Sequence, residues 1–340
     1  MATTSSRLDT GIVEIGSQFY VEREPGERLM NMVRNETANI ILVRGPFKSG
    51  KSSLLVRAED EAKGLGQPTC YIDFQSFQDS DFENLEILFQ RIAEKLSLEI
   101  NNIENPGNLW NERRGIKNNF TKFIEEVILE GETILILFDE VDRVLNSPCR
   151  DDFFSTIRNW DSLMKSKDRW RKLNLVMAHY RGPHLWIQDV NQSPFNVGTQ
   201  IKLNAFELKD IKSLNQTYKN PLKTDNEIEK LMHVTGGQPF LVRWAFHQIA
   251  TQKYNCVGEL ENEAIHKCEE LERFLQRFLF HMQKEEKLRK SLLRILKGRR
   301  CKDTEHFDYL KSLGLIKGDS PKEANIYCQL YEHFFKMHIL

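Results

Sequence analysis

Four residues in the segment Gly45-Pro-Phe-Lys-Ser-Gly-Lys-Ser52 stand in GxxxxGK[ST] spacing: Gly45, Gly50, Lys51 and Ser52. Each residue type suits one job. Glycine lets the backbone turn until successive N–H groups point into one concavity, a cradle for phosphate oxygens. A helix starting directly afterwards adds about half a positive charge at its first turn. The Lys51 ammonium can reach β- and γ-phosphates, and the Ser52 hydroxyl suits Mg²⁺. Pro46, Lys48, Ser49 and Ser53 complete the expected nucleotide-contacting set. The chemistry implied is binding of ATP or ADP with Mg²⁺. GTP is the less favoured alternative, since no guanine-reading Asn-Lys-x-Asp sequence occurs.

A second group lies downstream. Ile134-Leu-Ile-Leu-Phe138 reads as an apolar strand, and it runs straight into Asp139 and Glu140. Burying charge is costly, so a buried strand ending in two carboxylates needs a reason. The reason expected is a hydrolytic site, with Asp139 holding Mg²⁺ through water and Glu140 polarising the attacking water. A Glu directly after the Asp favours the P-loop class with an additional strand and a catalytic glutamate. His179, at the end of Leu173-Asn-Leu-Val-Met-Ala178, is the candidate sensor of the γ-phosphate and is grouped with Glu140 and Lys51 as catalytic. Arg150, Arg158 and Arg181 are candidates to stabilise transition-state charge, and the sequence does not choose among them.

These residues need a frame. Asn39-Ile-Ile-Leu-Val-Arg44, Cys70-Tyr-Ile-Asp-Phe74, Ile134–Phe138, Leu173–Ala178 and the edge segment Gln200-Ile-Lys-Leu203 read as strands. Helical patterns fall between them, with helices expected over residues 53–61, 82–99 and 116–129. Strands alternating with helices predict a five-stranded parallel α/β sheet covered on both faces, with ligands at the carboxyl ends of the strands. Residues 207–285 show only helical periods, so a separate helical unit is expected there. The division is 1–28 as a nucleotide-contacting segment, 29–204 as the P-loop core, 205–282 as a helical lid and 283–340 as a winged helix.

Bulk composition narrows the rest. A chain of 340 residues, at roughly 150 per domain, allows about two domains. A formal net charge of −1 gives no global case for nucleic acid or anionic membranes. None of the six cysteines shows CxxC spacing, which fits free thiols in a reducing compartment. There is no signal-peptide pattern and no apolar run near the ~20 residues of a membrane span, so a cytoplasmic protein with no membrane contact is expected.

The combination resembles the bacterial AAA-like domain of STAND-type signal-transduction NTPases. The likeness runs through Phe19-Tyr-Val-Glu-Arg23, the Gly45–Ser52 loop, Tyr71-Ile-Asp-Phe74 and Phe138-Asp-Glu140. It continues in Asn191-Gln-Ser-Pro-Phe-Asn-Val-Gly198, Thr235-Gly-Gly-Gln-Pro-Phe-Leu-Val-Arg243, and Leu313-Gly-Leu-Ile316 with Cys328-Gln-Leu-Tyr331. It implies a nucleotide between core and lid, with Tyr20 and Arg23 near the base and Pro239 against adenine. It also implies a nucleotide-dependent switch with slow hydrolysis that oligomerises when activated. The chain shows little beyond NTPase, lid and winged helix, so the expected partner is a separate effector or sensor protein, unless the NTPase itself is the acting part. Bacterial defence and a role beside mobile elements both fit. The alternative is a DNA-binding AAA ATPase of the initiator or transposition-regulator type. Basic residues between Lys284 and Lys302 would touch DNA phosphates, or would simply solvate an amphipathic helix.

Overall fold

The computed structural model describes residues 8, 11–35, 39–101, 106, 110–180, 198–261 and 268–339. Arg181 and residues 191–197 lie outside that set. Two compact units are present. One comprises residues 22–45 and 51–203; the other comprises residues up to Val21, Pro46–Gly50 and the chain from Asn204 onward.

The first unit is built on a parallel sheet. Its strands are β1 (Asn39–Arg44), β2 (Thr69–Asp73), β3 (Ile134–Asp139), β4 (Leu173–His179) and β5 (Thr199–Lys202). The order across the sheet is β2-β3-β4-β1-β5, and every neighbouring pair is parallel. β4 therefore lies between β1, which feeds the glycine loop, and β3, which carries the two carboxylates. This is the additional strand expected from the Asp139-Glu140 pair. β5 is an edge strand, as expected, running over Thr199–Lys202 rather than Gln200–Leu203.

Alternation along the strands fills both faces. Ile40, Leu42, Ile72, Ile136, Phe138, Leu175 and Met177 point to one core. Leu88, Phe89 and Ile92 of α3 (Leu85–Leu96) and Phe120 and Phe123 of α4 (Ile116–Phe123) join it there. So do Val144 and Leu145 of α5 (Asp142–Leu145) and Phe153 and Trp160 of α6 (Arg150–Ser166). Ile41, Val43, Leu135, Leu137, Val176 and Ala178 point the other way. They meet Leu29 and Val33 of α1 (Glu24–Arg34) and Leu54, Leu55, Ala58 and Ala62 of α2 (Lys51–Gly64). Each fully buried Leu, Ile or Val side chain among these contributes roughly 1.5–3 kcal/mol.

Several boundaries differ from the sequence reading. The helix after the glycine loop starts at Lys51 and runs to Gly64, longer than residues 53–61. β2 stops at Asp73 because the Asp73 carboxylate accepts from Gln75 N–H and turns Phe74–Ser76 into a short 3₁₀ segment. The helix expected over 82–99 begins only at Leu85. Asn84 caps it by accepting from the N–H groups of Glu86 and Ile87, and Asp79–Phe82 forms a separate turn.

In the second unit, three helices follow the sheet: α7 (Leu208–Thr217), α8 (Asp225–Thr235) and α9 (Pro239–Ala250). α8 starts in a Thr224/Glu227 capping box and ends at Gly236 in the left-handed conformation. Gly237 is also left-handed, and a Cβ there would lie 2.4 Å from the Phe206 carbonyl oxygen. The Thr235-Gly-Gly-Gln-Pro239 turn thus requires both glycines. The aromatic segment before α1 joins this unit: Phe19 packs on Tyr218 at 4.7 Å, with the Arg243 guanidinium 5.6 Å from its ring. α10 (Glu269–Lys284) follows, then α11 (Glu286–Leu296) and α12 (Thr304–Ser312), an antiparallel β6 (Ile316–Lys317) and β7 (Asn325–Ile326), and α13 (Gln329–Ile339). Two helices, a two-stranded antiparallel hairpin and a further helix thus close this unit. Among the described residues, no helix is long and apolar enough to cross a membrane.

Candidate functional site

The site residues of the first unit sit at the carboxyl ends of adjacent strands, where an open parallel sheet presents its ligands. β1 ends at Arg44, and Gly45 N–H donates to the His179 carbonyl at 3.3 Å. The β4 end thereby anchors the first glycine of the loop. The His179 side chain itself is fully enclosed (0% exposed). α2 begins at Lys51 and carries no acidic residue in its first turn, so its positive end is left for an anion from outside the helix. Lys51 is 6% exposed, and its ammonium donates to the Gly45 carbonyl at 3.0 Å. A phosphate would offer that ammonium a stronger, charge-assisted partner. Ser52 is half-buried beside it and Ser53 is buried.

The loop tip, Pro46–Gly50, belongs to the second unit. Ser49 N–H donates to the Pro46 carbonyl at 3.2 Å and closes a turn. Gly50 has φ +97°, which the glycine supplies freely, but Lys48 also has φ +60°. A non-glycine residue held there stores on the order of 1 kcal/mol of backbone strain. Gln238, the N-cap of α9, accepts from Leu241 N–H at 2.7 Å. Its amide also donates to the carbonyls of Phe47 and Lys48, at 3.1 and 3.3 Å. Pro239 occupies the first turn of that helix and is buried. A Cβ on Gly314 would lie 2.7 Å from Pro46 Cβ, and Arg277 lies 4.9 Å from the Phe47 ring centroid. Tyr20 belongs to this unit, its N–H donating to the Ser17 carbonyl. Arg23, in the other unit, receives at its carbonyl the first-turn N–H groups of Gly26 and Glu27.

Asp139 ends β3 and is 3% exposed. Its Oδ1 accepts from Glu140 N–H at 2.9 Å and its Oδ2 from the Tyr71 hydroxyl at 2.7 Å. Asp73 ends β2 and pairs in register with Asp139. Asp142 accepts from Tyr180 N–H at 2.8 Å, tying the turn after β3 to the end of β4. Glu140 is left-handed, φ +53°, so the turn that presents it is strained. Burial pushes the Glu140 carboxyl up to about 7; Lys51 opposes the shift, while Asp139, Asp142 and Asp73 add to it. Burial also raises Asp73, and Asp139 adds to that.

Asp139, Asp142 and Asp73 therefore act on Glu140 beside the Lys51 ammonium, with Lys95 and Arg143 offsetting part of the charge at Asp73. That excess of negative charge, beside the Ser52 hydroxyl, matches the hard-oxygen chemistry of Mg²⁺. Among the described residues, no three His, Cys, Asp or Glu side chains converge to hold a metal by themselves. A nucleotide-borne Mg²⁺ needs only one or two protein ligands, the rest coming from phosphate and water.

Glu140 also makes the fold pH-sensitive. A carboxylate with a raised folded pKa stabilises the fold only while protonated. Its contribution is fully present below about 4.5 and is lost as the pH rises through about 7. Glu140→Gln should therefore melt higher than wild type near pH 8, by at most about 3 kcal/mol, with the gap closing toward about pH 5. Parallel thermal melts across that range check this; a gap independent of pH contradicts it.

Of the candidate arginines, Arg150 pairs with its neighbour Asp151 at 2.7 Å. Arg158 Nη1 is enclosed without a hydrogen-bond partner. Arg181 lies outside the described residues. Arg143 serves the fold: it pairs with Asp79, donates to the Phe74 and Phe77 carbonyls, and sits over the Phe82 ring. Sequence reasoning gave no role to the Tyr71 hydroxyl, Asp73 or the Gln238 amide. A second strand carrying an Asp near its carboxyl end was the available signal for Asp73 alone.

Comparison with known proteins agrees with this architecture. The family described as the AAA-like domain matches residues 8–337. Over 261 residues, 73% of this chain, the sequence is 29% identical to a WD repeat-containing protein of Synechocystis sp., and it spans only 20% of that protein's length. Among solved structures, the ORC2 protein of Aeropyrum pernix, in ADPNP and ADP complexes, superposes with a TM-score of 0.50 at 13% identity, covering 96% of this chain and 99% of that one. The AMPPCP-bound DnaA of Aquifex aeolicus gives 0.40 at 18% identity, covering 82% and 70%. With almost its whole length matched, the chain belongs to the AAA-like domain family.

Proposed function

We propose that this chain binds ATP or ADP with Mg²⁺ through Gly45–Ser53 and Asp139, hydrolyses ATP slowly, and uses the nucleotide as a conformational switch. One observation carries the reading: the buried Lys51 ammonium, the buried Asp139 carboxylate and the strained Glu140 after it stand at the carboxyl ends of one parallel sheet. The nucleotide complexes of the Aeropyrum ORC2 structure support it through the shared fold.

In this mechanism the loop N–H groups and the first turn of α2 receive the phosphates. Lys51 leaves the Gly45 carbonyl to pair with them. Mg²⁺ held by Ser52 and Asp139 would neutralise phosphate charge. Glu140, once deprotonated, orients the attacking water and accepts its proton. The proposed domain limits are those of the sequence reading, with residues 205–282 as lid and 283–340 as winged helix. The His179 carbonyl anchors the first loop glycine; His179 as sensor of the γ-phosphate, and Tyr20, Arg23 and Pro239 as contacts of the base, are further parts of this proposal. Because the WD repeat-containing relative is mostly other sequence, the switch is proposed to act on an effector or sensor segment, in cis or on a separate protein, and to oligomerise when active.

One observation favours a second reading, a DNA-binding ATPase. Lys297, Arg299, Arg300, Lys302 and Lys322 are exposed. Arg300, Lys302 and Lys322 line a cleft of about 590 Å³ with Ser320 and Pro321. By contrast, Arg289 and Lys290 of α11 are matched by Glu286. Steady-state ATP hydrolysis, with duplex DNA added or withheld, separates the two readings. The switch predicts slow, Mg²⁺-dependent turnover that DNA changes less than about twofold. A rise of about tenfold or more, lost steeply with salt, contradicts it and supports the DNA reading.

A further inference from the structure

The proposed site contains a hydroxyl that the mechanism above does not use. Tyr71 lies on β2, next to β3, and the in-register partners are Tyr71 with Leu137 and Asp73 with Asp139. Tyr71 therefore reaches diagonally, past its own partner, to the residue two positions further along β3. A long aromatic side chain can span that diagonal. It does so on the sheet face covered by α2: Leu135 and Leu137 are buried in the core that α2 completes, and Tyr71 packs against the same core.

The Tyr71 hydroxyl lies 2.7 Å from Asp139 Oδ2, while Glu140 N–H lies 2.9 Å from Oδ1. Each carboxylate oxygen thus accepts one bond from a different strand position, and the plane of the carboxylate is set from both ends. Each oxygen keeps lone-pair capacity for a further partner.

We infer that Tyr71 is a positioning residue for Asp139, fixing the carboxylate so that it receives the divalent cation carried by the nucleotide. This rests on the nucleotide-site reading above. Outer partners of this kind orient a metal-binding carboxylate, and losing one typically weakens metal affinity about 10–100-fold. Phosphate binding by Lys51 and the loop does not pass through Tyr71, so nucleotide affinity without metal should be unaffected.

The experiment is a titration of N-methylanthraniloyl-ADP onto the full chain, first in EDTA and then with rising Mg²⁺, for wild type and Tyr71→Phe. The expected result is equal affinity in EDTA and a Mg²⁺ midpoint raised about tenfold or more in the variant. Tyr71→Gln and Tyr71→Met, similar in volume but with and without a donor, give the same comparison if the Phe variant folds poorly. The Gln variant should hold the lower midpoint. Equal Mg²⁺ midpoints in wild type and Tyr71→Phe, or in the Gln and Met pair, overturn the inference and leave the nucleotide site standing. A wild-type chain that binds no nucleotide at any Mg²⁺ concentration overturns the site reading and this inference with it.

Discussion

Lys51→Ala should lose tight nucleotide binding, with the dissociation constant for Mg²⁺-ATP rising at least about 100-fold, close to 3 kcal/mol. The side chain is buried, so the charge is not replaced by solvent or by a neighbouring lysine on the surface. Its ammonium donates to the Gly45 carbonyl at 3.0 Å, a neutral acceptor that a phosphate would outcompete. Removing the ammonium also takes away the cation that opposes the upward shift of Glu140. The variant's Glu140 should therefore stay protonated to higher pH. Calorimetric titration with Mg²⁺-ATP, alongside circular dichroism to show that the fold survives, checks the prediction. Unchanged affinity would remove Lys51 and the loop from the site.

Glu140→Gln should do the opposite: bind nucleotide within about threefold of wild type and lose turnover by about 10²–10⁴. Glutamine keeps the shape of the side chain and can fill the left-handed position at the same strain. It cannot accept the proton of the attacking water. Losing a carboxylate from a cluster already rich in them should, if anything, favour an incoming polyphosphate. Single-turnover hydrolysis with radiolabelled ATP, set beside a binding isotherm, separates the two effects. Full turnover in the variant would take the general-base role away from Glu140, and Asp73, at the end of the adjacent strand, would become the carboxylate to examine.

Much of the frame was legible because local signals were strong. β1, β3 and β4 are dominated by apolar runs, and such runs in a parallel sheet are buried on both faces. The loop and its helix follow from glycine, lysine and serine chemistry alone. Strand order was legible only in part. The Asp139-Glu140 pair implied an added strand, but nothing local says that β2 lies beside β3 rather than beside β1. Tyr71 becomes a partner of Asp139 only through that pairing, so its hydroxyl could not be assigned from sequence. Lys48 is another case: a lysine does not advertise φ +60°, which the loop imposes on it. The start of α3 was missed for a simpler reason. Asn84 is a strong cap, but the apolar Phe82 two residues before it extended the helical pattern past the true boundary. Gln238 plays two parts at once, capping α9 and holding the carbonyls of Phe47 and Lys48. A sequence pattern shows the turn around it but not the second part.

The most direct test is equilibrium binding of ATP and ADP to the wild-type chain, with Mg²⁺ and in EDTA, by calorimetry. The account predicts one saturable site per chain, with affinity strengthened by Mg²⁺. A chain that binds neither nucleotide in either condition would contradict it, and the acidic, strained strand end beside Lys51 would need another explanation.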